Sequence, residues 1–141
     1  MGDSMANGPL HGVKVVELGV WVAGPAATGI MADWGATVIK VEPPTGDPQR
    51  AVFGALGVAD QAGVPPFEID NRGKKSVVLD LRTDKDMAAM HRLLADADVF
   101  VSNVRSAGLA RMGLDPDTLT AKYPRLVYGL LTGDRKSTRL N

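Results

Sequence analysis

Polar side chains that can bind an anion follow two of the strands that the sequence predicts. Arg82 comes directly after one apolar strand, and Asn103 and Arg105 follow the next, Val99–Val101. Arg111 lies a short turn further along the chain. Cations at strand ends can hold phosphate through charge-assisted hydrogen bonds of about 1.5–3 kcal/mol each. The alternative interpretation is that these residues are charged side chains on a solvated surface with no ligand. From these residues alone we prefer that alternative.

The glycine-rich turn after the first strand lacks the dinucleotide-binding pattern. Gly-x-Gly-x-x-Gly would require glycine where the chain has Trp21, between Gly19 and Gly24. Glu42 follows at about the place of a ribose-binding acid, roughly 20 residues on. We therefore favour a tight strand-to-helix turn, with Glu42 as a solvated strand end.

Two lysines precede the third predicted strand, and so begin at the sheet edge opposite to Arg82. The segment Gly73–Ser76 resembles a phosphate-binding loop only superficially, because Glu68 stands where the first glycine would be. We interpret Lys74 and Lys75 as solvated surface charges.

Residues for hydrolytic or proton-transfer chemistry are scarce. The two histidines, His11 and His91, have no carboxylate partner at a useful spacing, and the absence of cysteine excludes thiolate nucleophiles and Cys-zinc sites. We expect both histidines to be structural or solvent-facing. No catalytic or metal-binding residue is predicted. If the cations at the strand ends bind a ligand, the residues alone indicate an α/β domain that binds a phosphorylated small molecule.

Apolar spacing and turn residues predict the element order β-α-β-loop-β-α-β-α-α-β. This order is typical of a doubly wound, mainly parallel, Rossmann-like sheet, which binds ligands beyond the carboxyl ends of its strands. A long loop, Pro43–Gly73, interrupts it with one short apolar turn around Val52–Leu56. The predicted strands lie within His11–Gly19, Thr37–Glu42, Ser76–Leu81, Val99–Val101 and Leu126–Leu131, and the helices are Pro25–Trp34, Thr83–Asp96, Gly108–Met112 and Pro116–Lys122.

Composition bears on partners and location. Sixteen basic and sixteen acidic residues give a formal charge of zero, which argues against nucleic acid as a partner. The charge-free stretch Leu18–Ala32 has 15 residues, fewer than the roughly 20 of a membrane span, so no membrane association is predicted. The acidic leader Met1–Met5 is not a secretory signal, and we expect a cytoplasmic protein.

Six segments of the chain, taken in order, carry a resemblance to a known family: Gly8–Leu18, Ala23–Pro25, Asp33–Pro44, Asn71–Leu81, Asn103–Arg105 and Arg111–Leu114. Together they resemble the N-terminal part of CoA-transferase family III, the CaiB/BaiF type. The resemblance implies an enzyme that moves coenzyme A from an acyl-CoA donor to a carboxylic acid acceptor; a second branch of the family racemises 2-methylacyl-CoA thioesters. It also implies an aspartate nucleophile, an interlocked homodimer, and a CoA thioester as substrate with no separate cofactor.

The resemblance implies that six positions of this chain correspond to residues that contact CoA in the family. It raises our expectation that the arginines among them bind the ligand. Val104 stands where the family has an aromatic residue, and Ser106 and Ala107 replace its Pro-Gly turn. The expected CoA contacts are Val22, Leu79, Arg82, Asn103, Val104 and Arg111.

The resemblance covers residues 8–133, so we divide the chain into a leader (1–7), a partial family domain (8–133) and a non-family tail (134–141). No residue matches the family's aspartate nucleophile. We expect a truncated CoA-transferase that is inactive alone. The alternatives are a fragment of a 2-methylacyl-CoA racemase, and a self-contained nucleotide-binding or interaction module without catalysis.

Overall fold

The computed structural model of the 141-residue chain describes residues 8–51 and 64–133. These residues form a five-stranded sheet with helices in the connections. The leader 1–7, the tail 134–141 and the apolar turn predicted at Val52–Leu56 lie outside them. The strands are β1 (Lys14–Leu18), β2 (Thr37–Glu42), β3 (Lys75–Val78), β4 (Val99–Ser102) and β5 (Val127–Leu130). The helices are α1 (Ala23–Asp33), α2 (Pro65–Asn71), α3 (Asp84–Ala95), α4 (Ser106–Arg111) and α5 (Pro116–Lys122).

The sheet has the strand order β3-β2-β1-β4-β5, and every neighbouring pair is parallel. The chain moves outward from β1 through β2 to β3, and then returns to place β4 on the other side of β1. The order of strands therefore reverses between β1 and β4, which is the topological switch point where doubly wound sheets bind ligands. The predicted α/β class is confirmed.

Alternate residues of the strands are buried in two separate cores. Val15 packs with Ala32 of α1 on one face of the sheet. Val16 packs on the other face, in a larger core that includes Met90 of α3 and Leu109 of α4. Because successive strand side chains point to opposite faces, a strand buried on both sides must be apolar at nearly every position. This requirement explains the short valine-rich runs of the sequence.

Local signals set several element boundaries. The side chain of Thr83 accepts a hydrogen bond from the backbone N–H of Asp86 and begins α3. Gly35, with φ 96°, follows the end of α1 in the left-handed conformation that favours glycine. Both residues were expected at these helix ends. The observed strands and helices differ from the predicted bounds by a few residues, as helix and strand ends commonly do.

The long-loop prediction for Pro43–Gly73 was wrong in part. A 3₁₀ turn forms at Pro48–Ala51, and α2 occupies Pro65–Asn71. Helix α2 is too short to show helical periodicity in the sequence, and its Phe67 and Asp70 are buried by contacts with distant segments. Within the described ranges, no helix has both the length and the apolarity to cross a membrane.

Candidate functional site

A cavity of about 380 Å³ lies at the carboxyl edge of the sheet, beside the switch point. Its walls come from the ends of β1 and β2 and from the loops that follow β1, β2, β3 and β4. Most of the lining is apolar, and Arg82 and Asp80 supply charged groups. The lining residues are Leu18, Gly19, Val20, Val41, Pro43, Pro44, Thr45, Leu79, Asp80, Leu81, Arg82 and Val104.

Arg82 is the cation of this cavity, and Asp80 holds it in place. The guanidinium donates to both carboxylate oxygens, with Nε–Oδ1 and Nη2–Oδ2 distances of 2.8 Å. The hydrogen bonds from Arg82 lower the pKa of Asp80, and the same pairing raises the pKa of Arg82. The Arg82 side chain is 85% exposed, so solvent or a ligand can reach it.

Asn103 lies at the switch point itself, where its side chain binds the backbone of the loop after β1. Oδ1 accepts from the N–H of Val20 at 2.9 Å, and Nδ2 donates to the carbonyl of Val20 at 2.7 Å. One amide group thus joins the loop after β4 to the loop after β1. Asn103 also lines a second cavity of about 340 Å³, together with Val104, Arg105 and Leu131.

The structure brings some of the expected CoA contacts together and leaves others apart. Leu79, Arg82 and Val104 line the first cavity, whereas Asn103 and Val104 line the second. Val22 is 54% exposed at the start of α1. Arg111 is exposed at the end of α4 and lines neither of these two cavities.

A buried charge network lies beneath the loop after β1. Lys40 donates to Glu17 Oε1 at 2.8 Å and to the carbonyl of Gly19 at 2.9 Å, and the side chains of Lys40 and Glu17 are at most 1% exposed. Lys74 donates to the other oxygen of Glu17 at 2.8 Å, and Thr28 donates to that same oxygen at 2.6 Å. The network fixes the position of the loop relative to β1, β2 and α1.

The interpretation of Lys74 as a solvated charge was wrong. Its side chain is 2% exposed, because its ammonium group turns inward to Glu17, the carbonyl of Pro25 and Asn71. Burial lowers the pKa of Lys74, and the neighbouring Glu17 carboxylate opposes this shift. Lys75, the next residue, is exposed.

The interpretation of Glu42 as a solvated strand end was also wrong. Its carboxylate is buried and accepts from Arg50 Nε at 2.8 Å, Arg50 Nη2 at 2.7 Å and Ser76 Oγ at 2.6 Å. Hydrogen bonds from Arg50 lower the pKa of Glu42 to about 2. This carboxylate holds the 3₁₀ turn against the sheet, and it is not free to bind a ribose.

The two histidines have the structural or solvent-facing positions expected of them. His91 Nδ1 lies 3.0 Å from the hydroxyl of Tyr123, and burial lowers the pKa of His91. His11 is exposed. Among residues 8–51 and 64–133, no cluster of three or more His, Cys, Asp or Glu side chains is arranged to hold a metal ion.

The fold and the cavity are those of an α/β domain with a ligand-sized site at the carboxyl edge of a parallel sheet. The sequence matches the profile of CoA-transferase family III over residues 10–134, and the chain belongs to that family. A crystal structure of a CAIB/BAIF family protein from Brucella suis superimposes with a TM-score of 0.81 at 41% identity. That match covers 90% of this chain and 34% of the Brucella chain.

Two curated relatives match the chain at 42% and 40% identity. Cinnamoyl-CoA:phenyllactate CoA-transferase of Clostridium sporogenes is 42% identical over 123 residues, which cover 86% of this chain. Succinate–glutarate CoA-transferase of Agrobacterium fabrum is 40% identical over 129 residues, which cover 89% of it. The chain spans about 30% of the length of the first relative and 32% of the second.

Proposed function

We propose that this chain supplies part of the coenzyme A site of an enzyme that transfers CoA from an acyl-CoA donor to a carboxylic acid. The cavity at the carboxyl edge carries the proposal, because it combines apolar walls with the exposed cation of Arg82. Coenzyme A has matching chemistry, since its phosphates are anionic and much of its pantetheine arm is apolar. The relatives reported above are named as CoA-transferases, which supports transfer rather than racemisation.

The expected CoA contacts divide by position. Leu79 and Val104 form part of the apolar wall of the first cavity, and Arg82 supplies its positive charge. Asn103 lines the second cavity. Val22 and Arg111 are exposed outside this lining, so they would contact parts of the ligand that extend beyond the cavity. Other parts of the enzyme determine which acid accepts CoA and which acyl group is bound.

The active enzyme is longer than this chain in our proposal, since the relatives are about three times as long. The residues carried over from the family include no nucleophile. We therefore place the aspartate that attacks the thioester in a part of the enzyme outside this chain. We also propose that the complete protein is an interlocked homodimer, and that it is cytoplasmic, which fits a chain without cysteine.

The test is isothermal titration calorimetry of CoA with the full-length protein and its arginine variants. Arg82→Ala and Arg111→Ala should each weaken CoA binding about 10- to 100-fold, or roughly 1.5–3 kcal/mol, because each removes a charge-assisted hydrogen bond to phosphate. Dephospho-CoA should show a smaller loss if the missing contact is to the 3′-phosphate. Arg105→Ala is the control, and we expect a smaller effect there.

The opposing view treats these arginines as solvated charges, and it predicts changes within about 0.5 kcal/mol at every position. Unchanged CoA affinity in both Arg82→Ala and Arg111→Ala would exclude our assignment of the phosphate contacts. A full-length wild-type protein that does not bind CoA would exclude the CoA site altogether and favour an interaction module.

A further inference from the structure

We propose that Asp47 is a positioning residue for ligand binding, acting through the loop Gly19–Val22 rather than by touching the ligand. This inference rests on the proposed function, because the ligand in question is the CoA thioester. Gly19 and Val20 form one wall of the cavity, and Pro43, Pro44 and Thr45 form another. Asp47 is the residue that joins these two walls.

The carboxylate of Asp47 is fully buried and links three segments. Oδ1 accepts from the backbone N–H of Trp21 at 3.2 Å and from that of Gln49 at 2.9 Å. Oδ2 lies 2.9 Å from Lys40 Nζ as an ion pair, although the alignment is not that of a hydrogen bond. The backbone N–H of Asp47 donates to Glu42 at 3.1 Å. A single side chain therefore fixes the loop after β1 to the loop after β2 and to β2 itself.

The same loop is held from two further directions. Lys40 donates to the carbonyl of Gly19, and the amide of Asn103 pairs with both backbone groups of Val20. Three successive loop residues, Gly19, Val20 and Trp21, are thus each bound by a side chain from elsewhere. These contacts come from β2, from the loop after β2 and from the loop after β4, so they hold the loop on both sides of the switch point.

The contacts to the loop hold the backbone of Trp21 in a strained conformation. Its φ is 62°, a left-handed conformation that costs free energy for any residue except glycine. Within the described residues it is the one non-glycine position with positive φ. Trp21 is 48% exposed, so packing of its side chain does not account for the strain. Such strain persists where the surroundings over-determine the backbone, and it is concentrated at ligand-binding segments.

The first experiment measures CoA binding to the full-length protein by calorimetry after Asp47→Asn. The variant keeps the shape of the side chain and one oxygen for the N–H of Trp21, but its amide replaces the charge that faces Lys40. We expect the dissociation constant for CoA to rise about tenfold. The matched control is Asp96→Asn, which removes the ion pair to Lys14 at the opposite edge of the sheet. We expect that control to stay within twofold of wild type.

Calorimetry separates positioning from a merely structural role. A variant that only folds less well raises the apparent dissociation constant by no more than the inverse of its folded fraction, and circular dichroism of the same sample measures that fraction. A positioning role changes the dissociation constant itself.

A second pair of variants tests the loop conformation without touching the buried network. Trp21→Gly and Trp21→Val both remove the ring, but glycine adopts positive φ freely and a β-branched residue does not. We expect the valine variant to bind CoA at least fivefold more weakly than the glycine variant. Equal constants for this pair, or a constant for Asp47→Asn within twofold of wild type, would overturn the positioning role. Absence of CoA binding to wild type would overturn the proposed function, and this inference with it.

Discussion

Glu17 and Lys40 are register partners on neighbouring strands, and both side chains are buried. A buried ion pair contributes little to stability by itself, because desolvation offsets the attraction, but loss of one partner leaves an unpaired buried charge. Here the charges balance, since Glu17 and Asp47 face Lys40 and Lys74. At the scale of single residues, the main effect of this buried network is therefore to hold the loop after β1 in position.

The pH dependence of folding should include a contribution from Glu42. Its pKa in the folded chain is about 2, below the usual 4.5, so the stabilisation is complete above pH 4.5 and is lost as the pH falls towards 2. This difference in pKa corresponds to at most about 3.4 kcal/mol, and solvent screening of the half-exposed Arg50 partner reduces that value. We expect Glu42→Gln to destabilise the full-length protein at pH 7, and the difference from wild type to shrink as the pH approaches 2.

Urea unfolding of wild type and Glu42→Gln between pH 7 and pH 3 measures this difference. Glu68→Gln serves as the control, because Glu68 is an exposed acid on α2 and should change the free energy of unfolding by less than about 0.5 kcal/mol. A difference between wild type and Glu42→Gln that is independent of pH would contradict the prediction.

At the scale of elements, the parallel sheet and the positions of most strands and helices were predictable from apolar runs and turn residues. The βαβ opening and the Thr83 cap are local signals, and they were confirmed. Helix α2 and the buried positions of Lys74 and Glu42 were not predicted, because each depends on partners far away in sequence. The buried network itself was not predicted, although the opposite charges of Glu17 and Lys40 within apolar strands are a sequence signal that could have indicated it.

The packing of α1 against α2 depends on one glycine. A Cβ at Gly29 would lie 2.8 Å from the backbone carbonyl oxygen of Asp70, which cannot move without shifting α2. We expect Gly29→Ala to lower the free energy of unfolding of the full-length protein by about 1–3 kcal/mol, as overpacking typically does. Chemical denaturation measures this loss.

Gly108→Ala is the matched control, because it places the same methyl group within another helix, α4. There the nearest atom is Val104 Cγ1 at 3.3 Å, a side-chain atom that can move aside. The gain in helix propensity, up to about 1 kcal/mol, should then make this variant neutral or stabilising. Equal destabilisation by the two substitutions would contradict the close approach of α1 and α2 as the cause.

At the scale of the whole molecule, the chain presents apolar surface at both edges of its sheet. Val78 on β3 and Val127 on β5 are 61% and 63% exposed, and these are the two edge strands. Ile69 and Trp34 add exposed apolar area on and beside the helices of one face. Under the function proposed above, the rest of the longer protein or the second subunit of the proposed homodimer would cover such surfaces.

The 141-residue chain, when it is produced alone, should therefore self-associate. Exposed edge strands with apolar side chains are templates for pairing with other chains, and a lysine on an edge strand opposes that pairing. We expect sedimentation velocity to show association that increases with concentration, and Val127→Lys to reduce it. Ala88→Lys adds the same charge on the exposed side of α3 and should leave the association unchanged. A monodisperse wild-type monomer with a sharp, reversible thermal transition would contradict this prediction, because such a chain would bury enough surface to be stable by itself.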